Sequence, residues 1–343
     1  MASGERPATM RAVQYSGYGG GSADLKHVEV AVPSLKKDEV LIKVKAASIN
    51  PADWKIQKGL LRPFLPKFPF IPVTDMAGEI VEVGSAVREF NVGDKVVSKL
   101  VFWVIANLPL FHLNFNKAEG LAEYVAAPES FTVALPDEVS AADAAGLPIA
   151  GLTALQALKS IGTKFDGTGT VANILITAAS GGVGTYAVQL AMLGNHHVTA
   201  TCGARNLELV VGGFGAEEAL DYKTPEGEAL MSSSGKKFDY IINTTDAGRW
   251  SVFKKRLSDQ GRVVDIAPNF GNFVASILTL FSRKKISIVT LSLGKEELKF
   301  LLELVKEGKL RTVVDSRHTF EKAAEAWEKS MSGHATGKVI VEM

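Results

Sequence analysis

Cysteine is nearly missing from this sequence: Cys202 is the only one in 343 residues. A single thiol excludes an intrachain disulfide framework and a four-cysteine zinc site, and it fits a reducing compartment. Net charge is missing too. Lys and Arg number 38 against 37 Asp and Glu, with no acidic or basic block, which excludes the footprint of a nucleic-acid binder. No apolar run is long enough to cross about 30 Å of hydrocarbon. The one candidate, LVFWVIANLPLFHL at Leu100–Leu113, is short and is interrupted by Asn107 and Pro109. The N-terminal MASGERPATMRAVQYSG has no secretory apolar core and is too poor in Ser and Arg for a transit peptide. Its first nine residues, with Ser3, Gly4 and Pro7, read as a disordered lead.

What is present describes a soluble globular enzyme. Hydrophobic residues make up 46% and charged residues 22%, and the length favours two domains. From Met10 the chain carries short β-rich runs punctuated by Gly, Pro and Asp: RAVQY, EVLIKVKAASI, AGEIVEVG and GDKVV. That texture predicts a compact all-β unit over 10–140. Helix–strand alternation follows over 141–290. ADAAGLPIAGLTALQAL is helical with Pro148 as a break. Then come the strand NILIT, the helix GVGTYAVQLAML and the strand HVTATC, with further strands at EALDY, FDYIINTT, GRVVDIAP and SIVTLSL. This order predicts βαβ units on a parallel sheet. Over 291–343 two amphipathic helices, EELKFLLELVKEGKL and FEKAAEAWEKSMSG, precede a strand, GKVIVEM, able to return to the first unit.

The stretch TAASGGVGTYAVQLA joins a predicted strand to a predicted helix without the usual G-x-G-x-x-G spacing. Its context still suits a pyrophosphate. Gly181 and Gly182 let the backbone approach, the N–H groups from Ser180 through Val183 open the helix, and Gly184 allows close packing of helix on strand. A tight strand–helix connection is the plain alternative. At the end of the next strand, where an acid would hold a ribose 2′-hydroxyl, the chain has Cys202, Gly203 and then Arg205. A cation there can pair with a 2′-phosphate, so NADPH is the expected cofactor, unless Arg205 is simply solvated.

SINPADWKIQKG, FIPVTDMAGEIVEVG, VGDKV, GLAEYV, LPIAGLTALQAL, AASGGVG, LDYK and GHATGKVIVEM stand in this order along the chain. Together they resemble the medium-chain dehydrogenase/reductase superfamily in its zinc-free quinone oxidoreductase branch. NPADWKIQKGLLRPFLPKFPFIP and GHATGKVIVE are similar to that branch's plant plastid-envelope members. The resemblance implies an α/β protein with a GroES-like β catalytic domain plus a Rossmann-type doubly wound parallel sheet. Zinc alcohol dehydrogenases of this superfamily place a Cys near Asn50 to Asp53 and a His-Glu pair near Thr74-Asp75; this chain has neither Cys nor His there. No metal is expected. Hydride is then expected to add to an activated alkene or a quinone, the enolate needing a hydrogen-bond donor and a proton from solvent.

Residue by residue, the resemblance implies that Asn50 orients the substrate carbonyl or the nicotinamide ribose, or else is a turn residue before Pro51. Lys55 matches a position that contacts cofactor or substrate. Asp53 is expected to order its loop, Tyr222 to pack beside the 2′-phosphate and Thr153 to lie near the nicotinamide phosphate. Asn243, Thr244 and Ala267 stand at later strand ends, and Lys338 is able to reach the cofactor. For these strand-end residues and Lys338, ordinary structural roles are equally open.

One departure stands out. Where relatives carry a short glycine-rich connection, this chain has LVFWVIANLPLFHLNFNKAE. A lid or membrane-surface contact, buried padding, and an insertion that impairs activity all remain open. The leading activity is NADPH-dependent reduction of enones, alkenals and oxidised-lipid ketols; quinone reduction and a catalytically silent NADPH-binding role compete with it. The expected partners are a small-molecule enone or quinone and no nucleic acid, with a peripheral membrane contact and a homodimer left open. The expected location is the chloroplast envelope without a cleavable presequence, the cytoplasm being the alternative.

Overall fold

In the computed structural model, the described residues are 7–60, 62, 68–100, 119–289, 291–292 and 294–343. The segment 101–118, which holds most of the atypical connection and of the proposed lid or anchor, lies outside them, as do residues 1–6 of the expected lead. Two compact units form. One draws on Met1–Ile149, Leu293–Gly308 and Val314–Met343, the other on Ala150–Ser292 and Lys309–Val313.

The chain begins with β1 (Thr9–Gln14), β2 (Lys26–Ala31), β3 (Glu39–Ile49), α1 (Pro51–Gln57), β4 (Asp75–Val83), β5 (Lys95–Lys99), β6 (Tyr124–Pro128), β7 (Thr132–Ala134) and α2 (Ala141–Ala145). It continues through α3 (Pro148–Lys159), β8 (Asn173–Ile176), α4 (Gly182–Leu193), β9 (His197–Cys202), β10 (Glu218–Asp221), α5 (Pro225–Glu228), β11 (Phe238–Asn243), α6 (Trp250–Arg256), β12 (Leu257–Asp265), α7 (Phe270–Leu278) and β13 (Lys285–Ile288). It closes with α8 (Lys295–Lys306), β14 (Val314–Thr319), α9 (Ala323–Met331) and β15 (Lys338–Glu342).

In the first unit β1 and β2 form an antiparallel pair, and a larger sheet runs β14-β15-β3-β4-β5-β7 with β6 also paired to β3. β3 is the centre because nearly every side chain of EVLIKVKAASI is buried. It pairs antiparallel with β4, β6 and β15. The β15 register sets Val339 opposite Ile49, which carries the start of the last strand to the end of β3. Only β14–β15 departs from the antiparallel rule among the described pairs of this sheet. Apolar side chains of Val13, Tyr15, Ile42, Met76, Ile80 and Trp327 share one core. Trp327, fully buried on α9, donates Nε1–H to Gln57 Oε1 at 3.2 Å, and Gln57 donates in turn to the Gly21 carbonyl at 3.0 Å.

The second unit is a six-stranded sheet in the order β10-β9-β8-β11-β12-β13, with every pair parallel. Counted within the unit this is 3-2-1-4-5-6, the doubly wound dinucleotide-binding order, and its strand order reverses between β8 and β11. Ligands of such sheets bind outside the carboxyl ends of the strands at that reversal. One expected strand is displaced: SIVTLSL reads as 287–293, whereas β13 ends at Ile288. Its partner β12 ends at Asp265, opposite Ile288, so the ladder has nothing further to pair with. The break expected at Pro148 falls at Gly146-Leu147, with Pro148 as the first residue of α3, where its missing N–H leaves no helical bond unmade.

Trp327→Ala should lower the stability of the first unit by about 3–5 kcal/mol, because it opens a large cavity and strands the Gln57 carbonyl oxygen. Chemical denaturation measures it; a loss below about 1 kcal/mol would mean the core re-closes around the site.

Candidate functional site

Each unit gathers its own set of polar side chains at strand ends. In the first unit the set grows from the junction of β3 and α1. Pro51 opens α1, and the Asn50 N–H before it donates to Asp53 Oδ2 at 2.7 Å, so Asp53 ties the start of the helix back to its N-cap residue Asn50. Asn50 Nδ2 donates to the Ser48 carbonyl at 3.1 Å and to Asp75 Oδ2 at 2.9 Å. Its Oδ1 accepts from Lys338 Nζ at 2.5 Å. The Ile149 N–H also donates to Asp75 Oδ2, at 3.0 Å.

Asn50, Asp53, Asp75 and Lys338 are all at most 4% exposed. Lys99, equally buried, pairs with Asp75 in the β4–β5 ladder, so two carboxylates share the interior with two amines. Burial dominates their protonation. It pushes the Asp53 carboxyl up to about 7 against the opposing Asn50 N–H bond. It also raises Asp75, against the pull of Lys338, and lowers Lys338 itself. Lys99 is lowered to about 8 by burial, with Asp75 resisting.

Both N–H bonds of the Asn50 amide are committed inside the protein, and a flipped amide would set its NH₂ against the Lys338 ammonium. A substrate carbonyl therefore finds no free donor on Asn50; only the remaining lone pair of Oδ1 can meet a hydroxyl. Lys55 is half-buried on α1 with Nζ 5.6 Å from the centre of the Trp54 ring. Ser48 Oγ and Trp54 Nε1, flanking the cluster in sequence, are buried without a hydrogen-bond partner among the described residues.

A zinc ion does not fit this donor set. The positions that would carry its ligands hold Asn50, Asp53, Thr74 and Asp75, and the cation among their oxygens is the Lys338 ammonium. Among the described residues no group of three or more His, Cys, Asp or Glu side chains could hold a metal. Asp75 and Lys99 were not singled out in the sequence; the signal available was an Asp directly before the apolar and small residues Met76, Ala77 and Gly78.

In the second unit the turn between β8 and α4 is strained and tightly tied. Ala178 has φ of +45°, a conformation that a Cβ disfavours. Its N–H donates to Thr201 Oγ1 at 3.2 Å, and the Ala179 N–H to the Thr201 carbonyl at 2.8 Å. A Cβ on Gly184 would lie 2.3 Å from the Ala178 carbonyl oxygen, so no other residue fits there without moving the turn. Gly182, Val183 and Gly184 form the first turn of a 12-residue helix, and helix geometry gives their N–H groups no acceptor four residues back. The Gly181 N–H is spent inside the turn, on the Ala178 carbonyl at 2.9 Å, so the cradle for a pyrophosphate at the positive end of α4 is made by these three N–H groups with Ser180 beside them.

Cys202 closes β9, nearly inaccessible, its thiol pushed up to about 11 by burial and the Asp221 charge. Gly203 follows, with space beside it for the Tyr222 ring: a Cβ there would lie 3.5 Å from the ring. The Tyr222 N–H donates to the Cys202 carbonyl at 3.1 Å, which fixes that neighbour. Arg205 stands exposed on the short turn after Gly203, and Lys223 Nζ lies 5.9 Å from the centre of the Tyr222 ring. The ends of β9 and β10 thus hold two cations and an aromatic ring. Lys223 was quoted in LDYK but given no role. This corner and the glycine turn fit NADPH.

At the strand reversal, side chains lock to one another. Thr177 Oγ1 donates to Asn243 Oδ1 at 2.9 Å and accepts from the Thr244 N–H at 3.0 Å. Thr244 Oγ1 donates to the Thr177 carbonyl at 2.6 Å. Asn243 Nδ2 donates to the Thr245 carbonyl at 2.8 Å and to Asp265 Oδ1 at 2.9 Å, and Asp265 Oδ1 also receives the Ala267 N–H at 3.1 Å. Asn272 Nδ2 completes the set at Asp265 Oδ2, 2.7 Å away. Burial raises the Asp265 carboxyl, and these donors pull it back. The Asn243 amide is therefore engaged as a clamp between β8, β11 and β12. Thr153 is half-buried on α3, and Ala267 half-buried just past β12.

Comparison with known proteins agrees with this layout. The profile of the alcohol dehydrogenase GroES-like domain matches residues 36–137, and that of the zinc-binding dehydrogenases matches residues 214–341. The chain is 55% identical to the chloroplast envelope quinone oxidoreductase homolog of Arabidopsis thaliana, over 97% of this chain and 98% of that protein. It is 34% identical to an NADPH-dependent alkenal/one oxidoreductase, chloroplastic, of the same plant, over 98% of this chain and 80% of the relative. The solved quinone oxidoreductase from Coxiella burnetii superposes with a TM-score of 0.83 at 30% identity, covering 98% of this chain and 99% of that one.

The buried Asp53 generates a pH test. Its folded pKa is raised, so its contribution to stability is complete below the unfolded value of about 3.9 and is lost as pH rises through about 7. Asp53→Asn keeps an acceptor for the Asn50 N–H and removes the ionisation. The variant should gain on the wild type between about pH 4 and pH 7, by at most about 1.4 kcal/mol per pH unit. Parallel melting-temperature profiles for the two proteins would show that Asp53 carries no raised pKa.

Proposed function

We propose, for a chain that belongs to the medium-chain dehydrogenase/reductase superfamily, an NADPH-dependent and zinc-independent reduction of α,β-unsaturated carbonyls. The observation that carries this reading is the Lys338 ammonium seated among Asn50, Asp53 and Asp75, where a metal would otherwise stand. A site built this way has no Lewis acid for an isolated alcohol or ketone. It suits a substrate whose conjugation already makes its β-carbon electrophilic. Enones, alkenals and oxidised-lipid ketols have that property.

NADPH, when bound, supplies the hydride. The chain's part is to hold and orient. The N–H groups of the α4 first turn, together with Ser180, would receive the pyrophosphate, with Gly181 leaving the backbone open to its approach. Arg205 pairs with the 2′-phosphate while Tyr222 packs beside it, and Lys223 adds a second positive charge. Asn50 is a positioning residue whose Oδ1, fixed by Lys338, keeps one lone pair for a ligand hydroxyl. Lys55, half-buried on the helix that follows it, is a cation suited to negative charge on the ligand.

Quinone reduction is the second reading. It is favoured by the name of the 55%-identical relative and by the quinone's own conjugated dicarbonyl. The relatives' names also support a plastid location, with the chain held peripherally at the envelope. Among the described residues no helix is long and apolar enough to cross a membrane.

NADPH oxidation by the purified protein should proceed with enones and alkenals, exceed that with quinones, and survive exhaustive chelation. Turnover of quinones alone selects the second reading. Binding without any turnover defeats both, and loss of activity on chelation defeats the metal-free site.

Cofactor choice should follow Arg205. Losing a charge-assisted phosphate contact of about 1.5–3 kcal/mol, Arg205→Ala should weaken NADPH binding roughly ten- to a hundred-fold and leave NADH binding nearly unchanged. Equal losses for the two cofactors would remove Arg205 from the 2′-phosphate.

A further inference from the structure

Helix α7 is turned inside out. Its buried positions are polar or small: Asn272, Ala275 and Thr279 are 1%, 7% and 8% exposed. Asn272 bonds to Asp265 and to the Gly248 carbonyl, and accepts from the Trp250 N–H at 2.9 Å; Thr279 Oγ1 accepts from the Ile286 N–H at 3.2 Å. The outward positions are apolar. Phe270, Phe273, Ile277 and Leu278 on the helix, with Leu280 and Phe281 just beyond it, are between 50% and fully exposed. Their spacing makes one continuous stripe along the helix. The helix cannot roll to hide that stripe, because its polar face is bonded into the network that clamps β11 and β12.

The charge around the stripe is one-sided. From Ala247 to Gly294 the sequence has eight Lys and Arg against two Asp, in a chain whose net charge is +1. One of those two acids, Asp265, is wholly buried. Arg283 and Lys285 lie exposed directly after the stripe. Lys284 Nζ donates to the Leu257 carbonyl at 2.8 Å, which brings in the end of α6 with its exposed Lys254 and Lys255.

We propose that α7 and the turn after it dock the protein on an anionic lipid surface, with the apolar stripe at the acyl boundary and the flanking cations against lipid phosphates. A second copy of the chain is the weaker occupant. A two-fold contact brings the same patch against itself and would face these cations with their own copies. A negatively charged membrane supplies the opposite sign. The inference rests on the peripheral association proposed above and names the surface responsible. It also separates membrane attachment from the segment 101–118.

The test is co-sedimentation of the full-length protein with phosphatidylcholine vesicles, with and without phosphatidylglycerol, at low and high salt. The intact protein should bind only the anionic vesicles and release as salt rises. The triple variant Phe273→Ser, Ile277→Ser, Phe281→Ser should lose at least about tenfold in partitioning, since each removed side chain multiplies the loss, with NADPH binding unchanged. Should the triple variant melt early, Lys254→Glu, Arg283→Glu, Lys285→Glu decides instead, since it leaves the apolar side chains in place and should abolish the same binding. Equal binding by intact protein and a folded variant overturns the surface while leaving peripheral association standing. No binding by the intact protein to any vesicle overturns both. A dimer that the triple variant dissociates, with no vesicle binding, assigns the stripe to a second copy and overturns the proposal.

Discussion

Lys338 is 3% exposed, and the first unit is arranged to make a buried amine tolerable. A buried charge persists only if other groups replace its hydration. Here Asn50, just past β3, accepts its hydrogen bond, and the charges of Asp53 on α1 and Asp75 at the head of β4 act on it through space. They converge because β15 pairs with β3 in the one register that sets Val339 opposite Ile49. The pairing fixes the lysine, the lysine fixes the Asn50 amide, and the amide fixes which of its atoms can meet a ligand. A site of this kind is positioned by strand register and not by a metal.

The second unit solves a related problem with amides and hydroxyls around a single carboxyl. Its strand ends at the reversal are held by Thr177, Asn243, Asp265 and Asn272, each satisfied by the next. Fully satisfied polar networks of this kind are rigid. The glycine turn, strained at Ala178 and laced to Thr201, therefore sits on a firm support. The same network claims the polar face of α7 and leaves its apolar face to solvent.

Elements with unmixed periodicity were legible in the sequence. EVLIKVKAASI, GVGTYAVQLAML and HVTATC form β3, α4 and β9 at the expected bounds, because local pattern and tertiary burial ask for the same thing. β13 was misplaced because its length is set by its partner, which local sequence does not contain. Asp75 and Lys99 stayed unseen for a like reason: a charged residue reads as surface until the ladder that buries it is known. Hydropathy drew attention to Leu100–Leu113, yet α7 went unremarked, since an apolar helix reads as core unless its polar face has a reason to turn inward. Its neighbouring cations fall mainly in two short groups, Lys254-Lys255-Arg256 and Arg283-Lys284-Lys285, that lie on either side of the helix in sequence.

The lone cysteine acquires a meaning beside the proposed chemistry. Enones and alkenals are electrophiles that capture thiolates, so a protein that concentrates them risks alkylating itself. Cys202 is 1% exposed, and its thiol is pushed up to about 11. At neutral pH only about one molecule in ten thousand would carry the thiolate, and that sulfur lies out of reach of solvent. A chain with no other cysteine would then offer such carbonyls no accessible thiol to modify.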